Sequence, residues 1–598
     1  MSIVLGINAY HGDSAACVLV NGKLVAAAEE ERFRRMKHWA GFPSEAIRYC
    51  LNEARARLSD VGVLAINSDP KAGRRERLMY LLQKRPSLSY VLRQVRTRLK
   101  RQSLEEVLNA SFPGETFRGT IQRVEHHVAH LASAYYLSPW DEAVAVSVDG
   151  FGDFSSAAWG MARRNRIEVE GRVHFPHSLG IFYEMMTQYL GFPNYGDEYK
   201  VMGLAPYGKP AFMDPLGDVV RTLPDGGFEL NLKYFMHTTQ PVTFTWSGGE
   251  PSKSGRMFTP ALETLLGPAR GPKEPLEDKH RDLARSVQAT YERVFFHLLH
   301  SLHRRHRVDY LVLAGGCGFN SVANGKVTTQ SPFKRVYVQS AAGDAGGAVG
   351  AALQAHYQTS GQTTHDHVRH AYLGPSYSND EIGALLDREA AKIAGEQCSV
   401  QRVDSLPALY ERTAKAIVAG RVVGWFQGRM EWGPRALGNR SILGDPRRSD
   451  MKDILNLKIK RRESFRPFAP SVLREHVKDW FELDDDVPFM MKVFQIREAK
   501  RAQIPAVTHV DGSGRLQTVY RDTNERYYDL ISAFHQMTGV PMLLNTSFNE
   551  NEPVVCQPSE ALDCFLRTKM DMLVLGDWVV ERADGASGAP RLPQEKAS

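Results

Sequence analysis

Val4-Leu5-Gly6-Ile7-Asn8, His11-Gly12-Asp13-Ser14-Ala15-Ala16, Cys17-Val18-Leu19-Val20 and Gly22-Lys23-Leu24-Val25-Ala26-Ala27 read in succession as strand, Ser/Gly turn, strand, tight turn, strand. The apolar runs are short, and the residues between them are those that reverse a chain. Two later segments again lead a strand into glycine. Tyr310-Leu311-Val312-Leu313-Ala314 enters Gly315-Gly316-Cys317-Gly318-Phe319-Asn320, and Val336-Tyr337-Val338 leads to Gly343-Asp344-Ala345-Gly346-Gly347-Ala348-Val349-Gly350. Glycine after a strand lets the backbone approach a phosphate or nucleoside closely, and a following helix offers free N–H groups to an anion. Neither loop has the spacing of a P-loop or a dinucleotide fingerprint.

Between these segments lies Glu125-His126-His127-Val128-Ala129-His130. Four-residue spacing sets His126 and His130 on one helical face, a turn apart, where both can hold one cation. The helix is expected over 127–136. Ala143 to Val148 should follow as a buried strand ending at Asp149, whose carboxylate is a possible third ligand. Histidine with carboxylate suits iron, zinc or manganese better than calcium. The same spacing also fits a histidine-rich helix whose rings only find hydrogen bonds. His127, turned 100° from its neighbours, reads as structural.

With these loops, the strand–turn–strand start resembles an actin/Hsp70/sugar-kinase (ASKHA) type of α/β fold. The added H-x-x-x-H and Asp resemble its metal-containing branch, which includes the tRNA threonylcarbamoyl-transfer enzyme. Gly196-Asp197-Glu198-Tyr199-Lys200-Val201-Met202-Gly203-Leu204-Ala205-Pro206-Tyr207-Gly208 and the stretch from Gly424 to Leu443 (GWFQGRMEWGPRALGNRSIL) narrow the resemblance. Both look like the bacterial O-carbamoyltransferases of antibiotic tailoring and nodulation-factor synthesis, over roughly 1–580. Lys460-Arg461-Arg462 and Ser547-Phe548-Asn549 are similar to the Lys-x-Arg and Ser-x-Asn pattern of the YrdC-like α/β domain that makes threonylcarbamoyl-adenylate.

The resemblance implies an enzyme that uses ATP with Mg2+ and carbamoyl phosphate. The C-terminal domain would form carbamoyl-adenylate, and the N-terminal domain would pass the carbamoyl group to an alcohol with loss of AMP. It implies metal ligands His126, His130, Asp149 and Asp344, with iron(II) expected before zinc or manganese. His11 would be the base toward the acceptor hydroxyl, although Gly12 stands where family members often have Asp. Lys37, Glu198 and Asn320 would contact nucleotide or acceptor, beside Gly315 and Gly316. Arg435, Lys460, Arg462, Arg466, Arg515, Ser547 and Asn549 would hold the phosphorylated reactants, with Arg440 a further candidate; guanidinium forks bind phosphate oxygens in pairs. The expected partner is a small-molecule alcohol, with no nucleic acid and with a homodimer to be tested.

A chain of 598 residues with 43% hydrophobic residues should form two or more domains. The expected division is 1–356, a linker at 357–370 around the polar stretch Gln358–His365, 371–583, and a frayed tail over 584–598. Residues 246–276, rich in glycine and proline, read as an inserted loop. No apolar run approaches a membrane span, no signal peptide is visible, and the six cysteines form no Cys-x-x-Cys pair. Cytoplasm is the expected compartment. That cysteine pattern argues against a hydrogenase-maturation protein, which would need paired zinc sites. A non-enzymatic Hsp70-like module would have no need of Lys460, Arg462, Ser547 and Asn549.

Residues 71–101 carry eleven Lys or Arg against Glu76, a local +10 in a chain of net +7. A nucleic-acid or anionic surface is one reading, and a tRNA-modifying enzyme would explain it. A solvated helical insertion burying Leu78, Leu81, Leu82, Leu92, Val95 and Leu99 is the reading preferred here.

Overall fold

The computed structural model describes residues 2–84, 103–239, 244–245 and 253–583. It forms a mixed α/β chain of two compact units. The first is Met1–Gly374 with Trp432–Pro434 and Met491–Val493. The second is Pro375–Glu431, Arg435–Met490 and Phe494–Ser598. The expected linker begins inside a helix, Asp344–Ser360, and the units divide at Gly374 and Pro375. Polar composition there marks the end of a helix, which Gly361 closes in the left-handed region. The expected tail lies outside the described residues.

The first unit contains two five-stranded sheets built to one plan. In the first, Lys23–Glu29, Ala15–Val20, Ile3–Asn8, Val63–Ile66 and Thr120–Arg123 lie side by side. In the second, Arg166–His174, Ser155–Arg163, Glu142–Gly152, Tyr310–Ala314 and Arg335–Val338 do the same. In both, the first three strands pair antiparallel and the last two join parallel. Ile3–Asn8 is buried throughout, as expected of a strand covered on both faces.

Helix Asp344–Ser360 packs against strand Ile3–Asn8 and helix His126–Tyr135. Glycine permits both approaches. A Cβ on Gly350 would lie 1.8 Å from the Ala129 carbonyl oxygen, and one on Gly6 would lie 2.1 Å from that of Ala348. Helix His126–Tyr135 is buried at every residue except Val128, and the Glu125 carboxylate caps its start by accepting from the Val128 N–H at 2.9 Å.

Two local expectations are corrected. The strand through Asp149 does not end there but continues to Gly152, because its pairing with Ser155–Arg163 shifts register between Val148 and Gly152. In helix Arg74–Lys84, Leu78, Leu81 and Leu82 are not buried, being 58%, 40% and 67% exposed. The inward face is instead set by Arg77, over Phe154, and by Tyr80, edge-on to Phe154 and Phe175. Leu92, Val95 and Leu99 lie outside the described residues. So does 246–252 of the glycine- and proline-rich region, whose remainder includes a helix, Pro260–Leu266.

The second unit centres on an eight-stranded mixed sheet. Its order is Cys398–Arg402, Trp578–Arg582, Met572–Leu575, Val423–Phe426, Arg440–Gly444, Met542–Ser547, Ala469–Leu473 and Gln517–Val519. Helices Leu406–Val418 and Glu525–Thr538 pack together, and Pro558–Thr568 joins Val423–Phe426 and Met572–Leu575. Trp425, Ile442, Leu543 and Phe565 are fully buried between these layers.

Candidate metal centre and anion pocket

His126 and His130 present Nε2 atoms 3.0 Å apart from successive turns of their helix. Asp149 Oδ2 lies 3.1 Å from the first and 3.0 Å from the second. Asp344, the first residue of its helix, brings Oδ1 to 3.5 and 3.4 Å. Two imidazoles and two carboxylates thus point one ligand atom each at a common centre. Bonds of about 2.0–2.2 Å to a shared cation separate neighbouring ligands by about 3.0–3.5 Å, so the quartet fits one ion.

The charges agree with that fit. Burial works against an ionised Asp149, yet hydrogen bonds from His126 and His130 hold its carboxyl well below the usual range. Burial would likewise lower His130, but the bonds and charges of Asp149 and Asp344 lift it to about 10. Positive charge is therefore what the carboxylates demand, and a divalent ion supplies it with both rings neutral. Among the described residues the Nδ1 atoms of His126 and His130 are buried without hydrogen-bond partners, so packing orients the rings. A Cβ on Gly152 would meet the His126 ring at 2.1 Å.

The Gly315-Gly316 turn acts on this centre. Gly316 N–H donates to Asp149 Oδ1 at 2.9 Å, which leaves Oδ2 toward the histidines. Gly315, at φ +86°, passes so close to strand Glu142–Gly152 that a Cβ would lie 2.2 Å from the Val148 carbonyl oxygen. Asn320 caps helix Ser321–Gln330 by accepting from Ala323 N–H and is hydrogen-bonded to Gln288. His127 contacts the His126 ring edge-on but does not join the quartet: its Nδ1 is 3.0 Å from Ser147 Oγ, and burial followed by the charges of His126 and His130 lowers its pKa far enough to keep it neutral.

His11 is brought to this centre, its ring centroid 5.4 Å from that of His126. Beside it, Asp13 Oδ1 pairs with His38 Nδ1 at 2.8 Å, and Glu31 accepts from His38 N–H at 2.8 Å. Burial opposes a charged His38, but Asp13 and Glu31 prevail and raise it to about 9; Lys37 contributes opposing charge. Tyr195 packs edge-on to His38, and its hydroxyl would be 2.8 Å from a Cβ on Gly12.

Glu198, at the start of its helix, faces Glu184. Burial and mutual repulsion raise Glu184 to about 8, and burial leads the rise of Glu198 to about 7. Glu184 Oε1 is buried with no hydrogen-bond partner among the described residues. Glu184, His38, Asp13 and Tyr195 were not singled out from the sequence. Their only signal was nearness to the His11 and Glu198 motifs.

In the second unit, four of the expected cations converge. Burial, then the charges of Arg435, Arg462 and Arg466, push Arg515 well below its ordinary pKa, and Arg515 Nε is buried with no hydrogen-bond partner among the described residues. Arg462 donates to Asn456 Oδ1 at 2.7 Å and lies over Phe468, and Arg466 is 3.6 Å from Glu463. Guanidinium groups gathered in this way call for an anion. Lys460, Ser547 and Asn549 also meet. The Lys460 ammonium, just after the π-turn Ile454–Ile459, donates to the Ser547 carbonyl and, at 2.7 Å, to both the Asn549 carbonyl and Oδ1. Arg440 is spent inside the fold on the carbonyls of Gln427, Gly428, Asn439 and Pro375.

Comparison with known proteins finds relatives over both parts of the chain. Residues 3–353 match the family described as carbamoyltransferase N-terminus, and 414–582 match carbamoyltransferase C-terminus. Protein sll1178 of Synechocystis sp. is 40% identical over 97% of each chain. Nodulation protein NolNO of Sinorhizobium fredii is 37% identical over 96% of this chain and 80% of its own. A 3'-hydroxymethylcephem-O-carbamoyltransferase of Amycolatopsis lactamdurans is 36% identical over 46% of this chain and 49% of its own. Likeness to solved structures is distant, as with HypF of T. kodakarensis (14% identity, TM-score 0.31, 60% of this chain and 48% of that one). The chain belongs to the carbamoyltransferase family, in its O-carbamoyltransferase group, and is an enzyme of that activity.

Proposed function

We propose that the enzyme uses ATP and carbamoyl phosphate to make carbamoyl-adenylate in its second unit and transfers the carbamoyl group to the hydroxyl of a small-molecule acceptor in its first. The observation that carries this reading is the convergence of Arg435, Arg462 and Arg466 on Arg515. ATP and carbamoyl phosphate together bring several phosphate groups, and fixed guanidiniums offset their mutual repulsion. Water attacks the carbamoyl carbon of carbamoyl phosphate and phosphate leaves, and an oxygen of the carbamate so formed attacks the α-phosphorus of ATP with departure of pyrophosphate. In this reading the second unit is of the YrdC type. The duplicated sheet plan supports an ASKHA-type first unit.

In the first unit His126, His130, Asp149 and Asp344 would hold a divalent ion, iron(II) before zinc or manganese. When bound, it supplies Lewis acidity toward the carbamoyl carbonyl. Asp149 is oriented for this by Gly316 N–H. His11, beside His126, accepts the proton of the acceptor hydroxyl as that oxygen attacks the carbonyl carbon and AMP leaves. Glu198 and Lys37 flank the acceptor. A relative whose name contains hydroxymethylcephem supports a natural-product alcohol as acceptor.

The test uses the full chain. Wild type with ATP and carbamoyl phosphate should release pyrophosphate. Arg466→Ala and Arg515→Ala should not, yet both should still release AMP from supplied carbamoyl-adenylate with water as acceptor. Equal failure of both variants on the supplied intermediate would refute the division of labour.

A further inference from the structure

Arg515 is carried into its cluster by a loop with an arrangement of its own. His509 and Ser513 close a turn, His509 N–H donating to the Ser513 carbonyl at 2.8 Å and Gly512 N–H to that of His509 at 2.9 Å. Asp511 Oδ1 accepts from Ser513 N–H at 3.1 Å and from the Ser513 hydroxyl at 2.6 Å. A hydroxyl has one proton, and here it is directed at Asp511. Ser513 Oγ can then only accept from His509 Nδ1, 3.1 Å away. This fixes the tautomer, with hydrogen on Nδ1 and a lone pair on Nε2.

Among the described residues, His509 Nε2 is buried without a hydrogen-bond partner. The charged groups facing the ring are Asp511, Arg515 and Lys452, whose ammonium donates to the Thr508 carbonyl at 2.6 Å. Burial, countered by Asp511 but reinforced by Arg515 and Lys452, holds the imidazole at about 4, while the Phe468 backbone favours the protonated ring. A neutral imidazole beside an arginine cluster, with its Nδ1 hydrogen directed at Ser513 and its lone pair on the buried Nε2, is able to accept a proton.

We propose that His509 is a catalytic base for carbamoyl phosphate cleavage, its Nε2 taking a proton from the water that attacks the carbamoyl carbon. The proposal rests on the reading of the second unit as the carbamoyl phosphate site. The water oxygen forms the new C–O bond. The C–O bond to phosphate breaks, and phosphate leaves with the electron pair. Nε2 returns its proton to the departing phosphate, giving carbamate and phosphate with nothing else consumed. The bound phosphate's negative charge offsets the arginines and raises the basicity of the ring when substrate is present. Ser513 and Asp511 are positioning residues.

The experiment measures phosphate release from carbamoyl phosphate by the full-length enzyme with ATP across pH, and calorimetric binding of inorganic phosphate. His509→Gln should lower the rate by roughly 10²–10⁴-fold and abolish its fall at low pH. Phosphate binding and AMP release from supplied carbamoyl-adenylate should persist. Ser513→Ala, which frees the tautomer, should show a smaller loss and a displaced low-pH limb. A His509→Gln enzyme with wild-type rate and pH profile would overturn the proposal, as would a rate loss that merely tracks lost phosphate binding. Should His509→Gln not fold, an unchanged low-pH limb in Ser513→Ala would overturn it. A wild type that binds phosphate but releases none from carbamoyl phosphate would overturn the reading of the pocket, and the base with it.

Discussion

Asp149 is held from two sides, by Gly316 N–H on Oδ1 and by the histidines on Oδ2. Removing one ligand leaves the others buried without their shared partner. His126→Ala and Asp344→Ala should therefore each lose bound metal, measured by elemental analysis, while His127→Ala keeps it. Full occupancy in His126→Ala would defeat the ligand assignment. A second expectation concerns pH. His38 is raised from 6.5 to about 9 in the fold, so its pairing with Asp13 favours the folded, protonated state. That stabilisation is complete below about pH 6.5 and is lost as pH rises through about 9. The melting-temperature difference between wild type and His38→Gln should shrink over that window, and a constant difference would contradict it. At this scale the sequence made His126, His130 and Asp149 legible, because helical period and strand pattern act over short distances. Asp344 came through family resemblance alone. The Gly316 N–H bond to Asp149 was invisible, since it depends on residues brought together from distant segments.

Elements were legible wherever an apolar run had a clear turn beside it. The three N-terminal strands lie where the sequence placed them. The glycines at 346–350 carried a second meaning, because small residues also let a helix lie against its neighbours. Replacing Gly350 by Ala would drive a Cβ into the Ala129 carbonyl. The two helices that carry His126, His130 and Asp344 would have to part. The expected cost is about 1–3 kcal/mol by denaturant unfolding, together with weaker metal binding. Unaltered stability would show that the contact yields freely. Helix Arg74–Lys84 was misjudged for a related reason. Its leucines predicted an inward face, but Arg77 and Tyr80 found aromatic partners on elements remote in sequence.

For the whole molecule, charge gives a further expectation. Arg74 and Arg75 belong to a strongly basic segment, but in the proposed function the arginine cluster of the second unit would bind the phosphorylated reactants without it. Reversing both charges should leave carbamoyl-phosphate-dependent pyrophosphate release unchanged at low and physiological salt. A steep salt dependence that disappears in the reversed protein would instead reveal an anionic partner. Chain length led to the expectation of two or more domains, and the polar stretch taken for a linker is the end of helix Asp344–Ser360, with the units dividing at Gly374 and Pro375. The quartet of ligands has one more consequence, in time. Three ligands, His126, His130 and Asp149, leave the ribosome early, and the fourth, Asp344, begins a helix synthesised only after the second sheet's last strand. On the proposed ligand set, the four-ligand site is complete only once Asp344 has been synthesised, and metal loading would wait for it.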